Sequence, residues 1–308
     1  MKLAFLFAGQ GSQKAGMGRD LYEQYPAFRA AFDSAQLDFD LRRVCFEDPD
    51  GVINQTRYTQ PCMVAFAAGV AAVLAENGIV PEYAAGLSLG EYSALHAAGV
   101  FTAKQAIELV AFRGVAMEQA AEGVESAMTA VLMLGREALE HCCEEASALG
   151  VVRICNYNCS GQLVIGGEKA AVDKAGELAK AAGARRLMPL RVSGPFHTPL
   201  MRPAGDALRE RFEQETFEEM KFPVLFNCLG CEKGDETIAS LLERQVQSPV
   251  YMEDTIRRLM ELGVDTVIEI GPGRALSGFV QKTAGNAITC YAVEDCAGLE
   301  AAIAAVKG

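Results

Sequence analysis

Residues 86–90 read Gly86-Leu87-Ser88-Leu89-Gly90 and lie between a short extended stretch and a strongly helical one. A small-x-Ser-x-small segment at such a junction predicts a strand-turn-helix with the serine at the apex of a tight turn. Glycines flank it because a Cβ there would collide as strand and helix close together. The Ser88 hydroxyl is thereby pushed into the open as a candidate nucleophile. The first amide of the following helix, that of Leu89, points at whatever anion forms on an acyl group carried by the serine. An ordinary glycine-flanked helix start fits the same five residues, so the remainder of the chain must decide.

Outward from this turn, strands alternate with helices. Residues 2–8 form a short apolar strand, followed by Gly9-Gln10-Gly11-Ser12-Gln13 and a helical stretch over about 20–35. Residues 59–76 are nearly all apolar and end at Asn77-Gly78, and a helix apolar on every face belongs in a core. A helix over 89–98 follows the serine, and Thr102-x-x-Gln105 is a capping box opening a helix to about 121. Over 125–191 the rhythm changes to strand 127–134, helix 137–149, strands 151–157 and 162–165, helix 169–182 and strand 186–190. That βαββαβ order is the ferredoxin-like split unit. The chain then continues with helix 199–215, strand 224–227, helices 238–245 and 252–262, strand 266–270 and the turn Gly271-Pro272-Gly273 before another helix. The expected class is α/β: a main domain of residues 1–124 and 192–308 with a mainly parallel sheet covered on both faces, and an inserted subdomain of 125–191.

Composition narrows the function classes. Half of the 308 residues are apolar, which suits a substantial core. A formal charge of −12 argues against nonspecific nucleic-acid binding, since phosphate contacts need a basic face. The apolar runs read as too short or too interrupted by charge to span a bilayer, and the first residues read as a buried strand rather than a cleaved signal, so no membrane role is expected. Ten cysteines without regular spacing, including adjacent Cys142 and Cys143, indicate reduced thiols and a cytoplasmic protein. Cys228-x-x-Cys231 has neither a second pair nor a nearby histidine, so no metal is expected there.

A serine needs a base to take its proton, and the chain has only three histidines. His96 lies eight residues along the helix from Ser88, about 12 Å of axial rise, and reads as a packed or capping residue. His141 sits in a charged helix of the insert and reads as solvated. His197, in Ser193-Gly194-Pro195-Phe196-His197-Thr198-Pro199, occupies a proline-bracketed loop where the insert rejoins the main sheet, the kind of segment on which catalytic groups concentrate. No acidic third member is found by spacing; a backbone carbonyl is one group that can orient the base instead. The Gly9–Gln13 loop completes neither a dinucleotide nor a P-loop pattern. It can instead aim the Gln10 amide at the same point as the Leu89 amide, as the second half of an oxyanion hole. Arg113, in an otherwise apolar helical stretch, asks for a partner: either Glu108 or Glu118 in a salt bridge, or a substrate carboxylate held in its planar fork.

Several segments together resemble the malonyl-CoA:acyl carrier protein transacylases, the acyltransferase family of fatty acid and polyketide synthesis. They are Gly-Gln-Gly-Ser-Gln at 9–13, Gly-Leu-Ser-Leu-Gly-Glu-Tyr at 86–92, Ala-Phe-Arg-Gly around Arg113, Asn-Tyr-Asn at 156–158 with Gly-Gln-Leu-Val-Ile-Gly-Gly after it, Gly-Pro-Phe-His at 194–197, Arg-Gln-Val-Gln-Ser-Pro-Val at 244–250 and Glu-Ile-Gly-Pro-Gly at 269–273. They fall in the family's order and span nearly the whole chain. Ala8 departs from the proline common before Gly-Gln-Gly-Ser.

The resemblance implies an α/β-hydrolase-like large domain with a ferredoxin-like insert. It makes Ser88 the acylated nucleophile, His197 its base, Arg113 the grip on the malonyl carboxylate, and Gln10 and Leu89 the oxyanion amides. It further implies that the Gln245 carbonyl orients the histidine, that Asn156 lines the cleft, and that Phe196 disfavours an α-branched acyl group. The implied activity is ping-pong transfer of malonyl from malonyl-CoA to the phosphopantetheine of an acyl carrier protein, with no bound cofactor; nothing in the sequence demands more than a monomer. A polyketide assembly line is the alternative destination, and a proofreading acyl-carrier hydrolase the rival activity. A non-catalytic interaction module is a further rival. Lys180, Arg185, Arg186 and Arg191 are the expected meeting point for an acidic carrier.

Overall fold

The structure, a computed structural model, describes residues 1–308. Ten strands run in chain order as β1 (Leu3–Phe7), β2 (Tyr83–Gly86), β3 (Ser126–Leu132), β4 (Val152–Cys159), β5 (Gln162–Glu168), β6 (Arg186–Pro189), β7 (Leu225–Phe226), β8 (Cys231–Glu232), β9 (Thr266–Ile270) and β10 (Thr289–Val293). The five residues of β1 are all apolar and all buried, so helices must cover both faces of the sheet that holds it. That sheet has the order β10-β9-β1-β2 with every pairing parallel. Register sets Phe7 opposite both Gly86 and Ile270, which brings the loops after β1, β2 and β9 to one edge. In an open parallel sheet this carboxyl edge is where ligands bind.

The helix Thr56–Glu76 is the central piece of packing. At 21 residues it is long and apolar enough to cross a membrane, contrary to the expectation from its run lengths, yet 78% of its most apolar window is buried inside the protein. It packs against the helix Ala103–Ala121 and against Pro26–Phe32, where Phe66 meets Phe28 edge-on at 5.9 Å and Phe28 stacks on Phe32 at 5.8 Å. The anticipated capping box at Thr102 is present, with the side chains of Thr102 and Gln105 each bonded to the other's backbone.

The second sheet has the order β4-β5-β3-β6, all antiparallel, with the helices Arg136–Ala146 and Lys169–Ala181 packed on it. This is the ferredoxin-like topology, and its core, including Leu139, Ile154, Leu163 and Val172, forms a cluster separate from the main one. Main-chain bonds join the two parts: Val250 N donates to Cys155 O at 2.9 Å and Tyr157 N donates to Val250 O at 2.8 Å. Around that bridge Tyr157 stacks on Tyr251 at 5.0 Å, and Arg136 donates to Glu253 at 3.0 Å and Asp254 at 2.9 Å.

Several segments depart from the sequence reading; the strand Cys231–Glu232 is unanticipated, and the helix expected over 199–215 runs only from Arg202 to Phe212. Instead of one helix over 20–35 there are two, Arg19–Gln24 and Pro26–Phe32, because Tyr25 is extended (φ −112, ψ 110) ahead of a proline that disfavours helical geometry in its predecessor. Strand β10 and the helix Cys296–Lys307 were not anticipated. The strand is short and alternates too weakly to declare itself, and only its pairing with β9 defines it.

The turn at Ser88 depends on close main-chain approach. A Cβ on Gly86 would lie 2.0 Å from the Gly90 carbonyl carbon, and one on Gly90 would lie 2.2 Å from the Phe7 oxygen. Neither neighbour is a side chain that can swing aside. Gly90→Ala is therefore expected to destabilise the fold by about 3 kcal/mol or more. For a chain of this size that lowers the thermal midpoint by about 6 °C or more, and a circular-dichroism melt within about 2 °C of the parent would contradict it.

Candidate active site

Ser88 sits at φ 51, a left-handed conformation that a non-glycine residue adopts at a cost of about 1–3 kcal/mol. His197 is likewise held at φ 63. The two side chains meet, with Ser88 Oγ 2.7 Å from His197 Nε2. His197 Nδ1 lies 2.9 Å from the main-chain oxygen of Gln245, which only accepts, so Nδ1 carries the ring proton. The Nε2 lone pair therefore faces the serine, and the Ser88 hydroxyl donates to it. Burial, and secondarily the positive charge of Arg113, push the His197 pKa down to about 4, against the opposing bond to Gln245. At neutral pH the ring is an uncharged base whose orienting partner is a carbonyl, as the lack of an acidic third member suggested.

Arg113 is almost wholly buried, at 1% exposure. Its guanidinium donates to Gln60 Oε1 at 2.9 Å and Gln245 Oε1 at 3.1 Å, reaches Ser88 Oγ at 3.4 Å, and lies over the Tyr92 ring with Cζ 5.5 Å from the centroid. Neither anticipated glutamate holds it. Glu108 accepts from Gln36 N and pairs with Lys104, while Glu118 accepts from Arg57 N. Burial lowers the Arg113 pKa, but a guanidinium remains charged in proteins. Burial also pushes the nearby Glu91 carboxyl up to about 8, so at neutral pH it is largely protonated and cancels little of that charge. A buried cation met by two neutral amides, a hydroxyl and an aromatic face, with no ionised carboxylate bonded to it, calls for an anion from outside.

The amides of Gln10 and Leu89 donate to no protein acceptor. The Gln10 side chain is occupied separately, donating to Thr56 Oγ1 at 3.0 Å. Both residues line a cavity of about 180 Å³ together with Ser88, His197 and Arg113. Its walls include Met117, Met128 and Phe196, and Asn156 and Asn158 reach it from β4. The cavity therefore lies where the two sheets' units meet.

The structure thus brings together every site residue expected from the sequence. Of the other histidines, His96 Nδ1 lies 2.9 Å from the Phe101 carbonyl and is packed, while the His141 side chain is 80% exposed beside Glu144. Cys228 packs toward Leu241 O and accepts from Arg244 Nε. Two residues escaped the sequence reading. Gln60 is a lone amide in an apolar helix, and Asn227, just beyond β7, accepts from Ser88 N at 2.6 Å. Glu91, an acid directly after the glycine of the turn, was the available hint that a buried polar partner was needed.

The family model described as "Acyl transferase domain" matches residues 4–299. The malonyl CoA-acyl carrier protein transacylase of Bacillus subtilis is 42% identical, over 99% of this chain and 98% of that protein. That of Staphylococcus aureus (strain MRSA252) is 38% identical, over 91% of this chain and 92% of its own length. Among solved structures, MCAT from Streptococcus pneumoniae superposes with a TM-score of 0.94 at 47% identity, covering 99% of this chain and all of that one (100%). A malonyl-transacylase solved in complex with its type II PKS acyl-carrier protein superposes with a TM-score of 0.94 at 39% identity, covering 99% and 100%.

The lowered His197 pKa sets a pH signature for the dyad. The base is lost only when its ring binds a proton, so the rate at which a fluorophosphonate labels Ser88 should stay level from about pH 7 to about pH 5. It should fall as pH approaches about 4, the value for buried His197. A midpoint near 6.5, the ordinary histidine value, would contradict the burial described here.

Proposed function

The chain belongs to the acyl transferase domain family, and within it we propose that the protein transfers malonyl from malonyl-CoA to the phosphopantetheine thiol of an acyl carrier protein. The observation that carries this reading is the buried guanidinium of Arg113, without a carboxylate partner, 3.4 Å from the Ser88 hydroxyl. An enzyme acting on uncharged acyl groups has no use for it, whereas a malonyl carboxylate supplies the missing anion in a two-bonded fork.

In the first half-reaction, the carboxylate pairs with Arg113 and the thioester carbonyl lies over Ser88. His197 Nε2 takes the hydroxyl proton as Oγ forms a bond to the carbonyl carbon, and the displaced π pair becomes an oxyanion facing the amides of Gln10 and Leu89. Collapse breaks the C–S bond, His197 returns the proton to the CoA sulfur, and a malonyl-serine ester remains. In the second half-reaction a carrier thiol gives its proton to His197 and attacks the ester, and Ser88 leaves with that proton. Gln245 serves twice: its carbonyl fixes the His197 tautomer, and its side chain accepts from Arg113 while donating to Ser88 O at 2.8 Å. Phe196 forms a wall that disfavours a branched acyl group, by about 1–3 kcal/mol for one methyl. Asn156 lines the side of the cleft contributed by β4. Every bond change is supplied by substrate and side chains, so no resident cofactor is invoked.

The carrier's approach is read from the surface. Lys180, Arg185, Arg186 and Arg191 are exposed, and among them lie the exposed apolar residues Met188, Leu190 and Val192. Leu190 and Val192 also line the cavity, so this basic-apolar patch leads to its mouth. Such a surface suits an acidic carrier that must insert a thiol arm. A fatty acid synthesis carrier is the acceptor proposed; a polyketide carrier is the second to test, since a similar structure was solved with one. We further take the chain to be a cytoplasmic monomer with all ten cysteines as free thiols, divided into a catalytic body of 1–124 and 192–308 and an insert of 125–191.

After incubation with malonyl-CoA, intact-mass analysis should show one malonyl group on Ser88, stable in buffer and discharged by holo carrier protein. Rapid loss to water would instead mark a hydrolase, and no adduct a binding module. Arg113→Ala should lower kcat/KM for malonyl-CoA by about 100-fold or more while changing that for acetyl-CoA much less. Unchanged acyl preference would refute the carboxylate clamp. Reversing the charge of Arg186 and Arg191 should raise the carrier KM several-fold without slowing malonyl loading, and an unaltered carrier KM would remove the docking assignment.

A further inference from the structure

Asn227 is 1% exposed and makes four hydrogen bonds, three of them to the turn that carries Ser88. Its Oδ1 accepts from Ser88 N at 2.6 Å, and its Nδ2 donates to Gly86 O at 2.6 Å. Its own amide donates to Glu91 Oε2 at 2.5 Å, and its carbonyl accepts from Tyr251 N at 2.9 Å. Glu91 N in turn donates to Ser88 O at 3.1 Å, closing a ring of bonds around the turn. We propose that Asn227 is a positioning residue that holds Ser88 in its attack conformation by clasping the main chain on both sides of it, a proposal that rests on Ser88 being the acylated residue.

The geometry explains why the clasp is needed. At φ 51 the Ser88 N–H finds no main-chain acceptor, and Asn227 Oδ1 is its only partner. The neighbouring segment pairs with β2 through a single bridge, Val224 to Ala84, before turning into the β7-β8 hairpin. Past that bridge the Asn227 side chain takes over as the next rung of the ladder. A carboxamide offers a donor and an acceptor together, which neither an ionised carboxylate nor an apolar side chain does. Asn227 does not line the cavity, so it acts through Ser88 and not on the substrate.

The test uses the full chain and measures the second-order rate constant for forming malonyl-serine from malonyl-CoA, beside a thermal melt. Asn227→Ala should slow acylation by about 100-fold, with the malonyl-CoA dissociation constant within about threefold of the parent, because only the nucleophile's aim is lost. Asn227→Asp distinguishes positioning from general stability through its pH profile. Ionised, the new carboxylate repels Gly86 O; protonated, it donates to that oxygen as the amide does. Its rate should therefore rise as pH falls from about 7 to about 5.5, a window in which the parent stays level because His197 remains neutral and Glu91 protonated.

The ionisable groups packed around this corner are Glu91 and Tyr92, Arg113, Arg244, Cys228, Tyr251 and, across Ser88, His197. All are present in parent and variant alike, so the difference between the two profiles reports on residue 227. An alanine variant that acylates within about threefold of the parent, or an aspartate variant whose profile runs parallel to the parent's, would overturn the proposal. If the alanine variant does not fold, the aspartate profile decides alone. Failure of the parent itself to form the ester would count against the Ser88 reading and not against the clasp.

Discussion

A main-chain contact with no room for a methyl group, between Gly90 and the carbonyl of Phe7, fixes where the helix after Ser88 leaves the sheet. The constraint is steric and local, but the rest of the site hangs from it. It forces the chain to reverse within three residues, places Ser88 in a left-handed conformation, and sets the free amide of Leu89 beside that of Gln10 at the end of β1. The parallel register of β1, β2 and β9 then determines which loops surround the hydroxyl. Strain at the turn is tolerated because neighbours on three sides hold it: Gln245 on Ser88 O, Asn227 on Ser88 N, and His197 on Oγ.

The cavity forms where the two sheets face each other, and Met128, Ala130, Cys155 and Val164 of the antiparallel sheet join the main core there. Ser88, Arg113 and His197 come from the part built on the parallel sheet, while Asn156, Asn158 and Val164 come from the antiparallel one. Val250 ties the two with main-chain bonds to β4, and it lies five residues after Gln245, whose carbonyl orients His197. The segment that aligns the base is thus also the segment that docks the smaller sheet. Coupling of this kind keeps cavity width and base orientation from varying separately.

Much of this was legible in the sequence, for identifiable reasons. The flanking glycines announce a close approach, and the capping box at Thr102 is a local chemical signal. Scarcity made His197 findable, because only three histidines had to be weighed. Arg113 was ambiguous until burial was known, since Glu108 and Glu118 are plausible helical neighbours and only the folded packing shows both otherwise engaged. Asn227 was missed because it lies 139 residues from its partner and follows a strand of two residues, too short to carry a pattern. The helix Thr56–Glu76 was recognisable as core, but that its length and hydropathy would also suffice to cross a membrane was not.

The unpaired charge of Arg113 has a thermodynamic corollary. That charge is one of the two causes holding the His197 pKa down. An anion that neutralises Arg113 relaxes its influence, so occupancy of the guanidinium and proton affinity at the imidazole are linked functions. Linkage is reciprocal: a ligand carboxylate that raises the proton affinity of His197 must itself bind more tightly when that ring is protonated. On the proposed reading, a carboxylated acyl group seated on Arg113 would strengthen His197 as a base, and an uncharged acyl group would not.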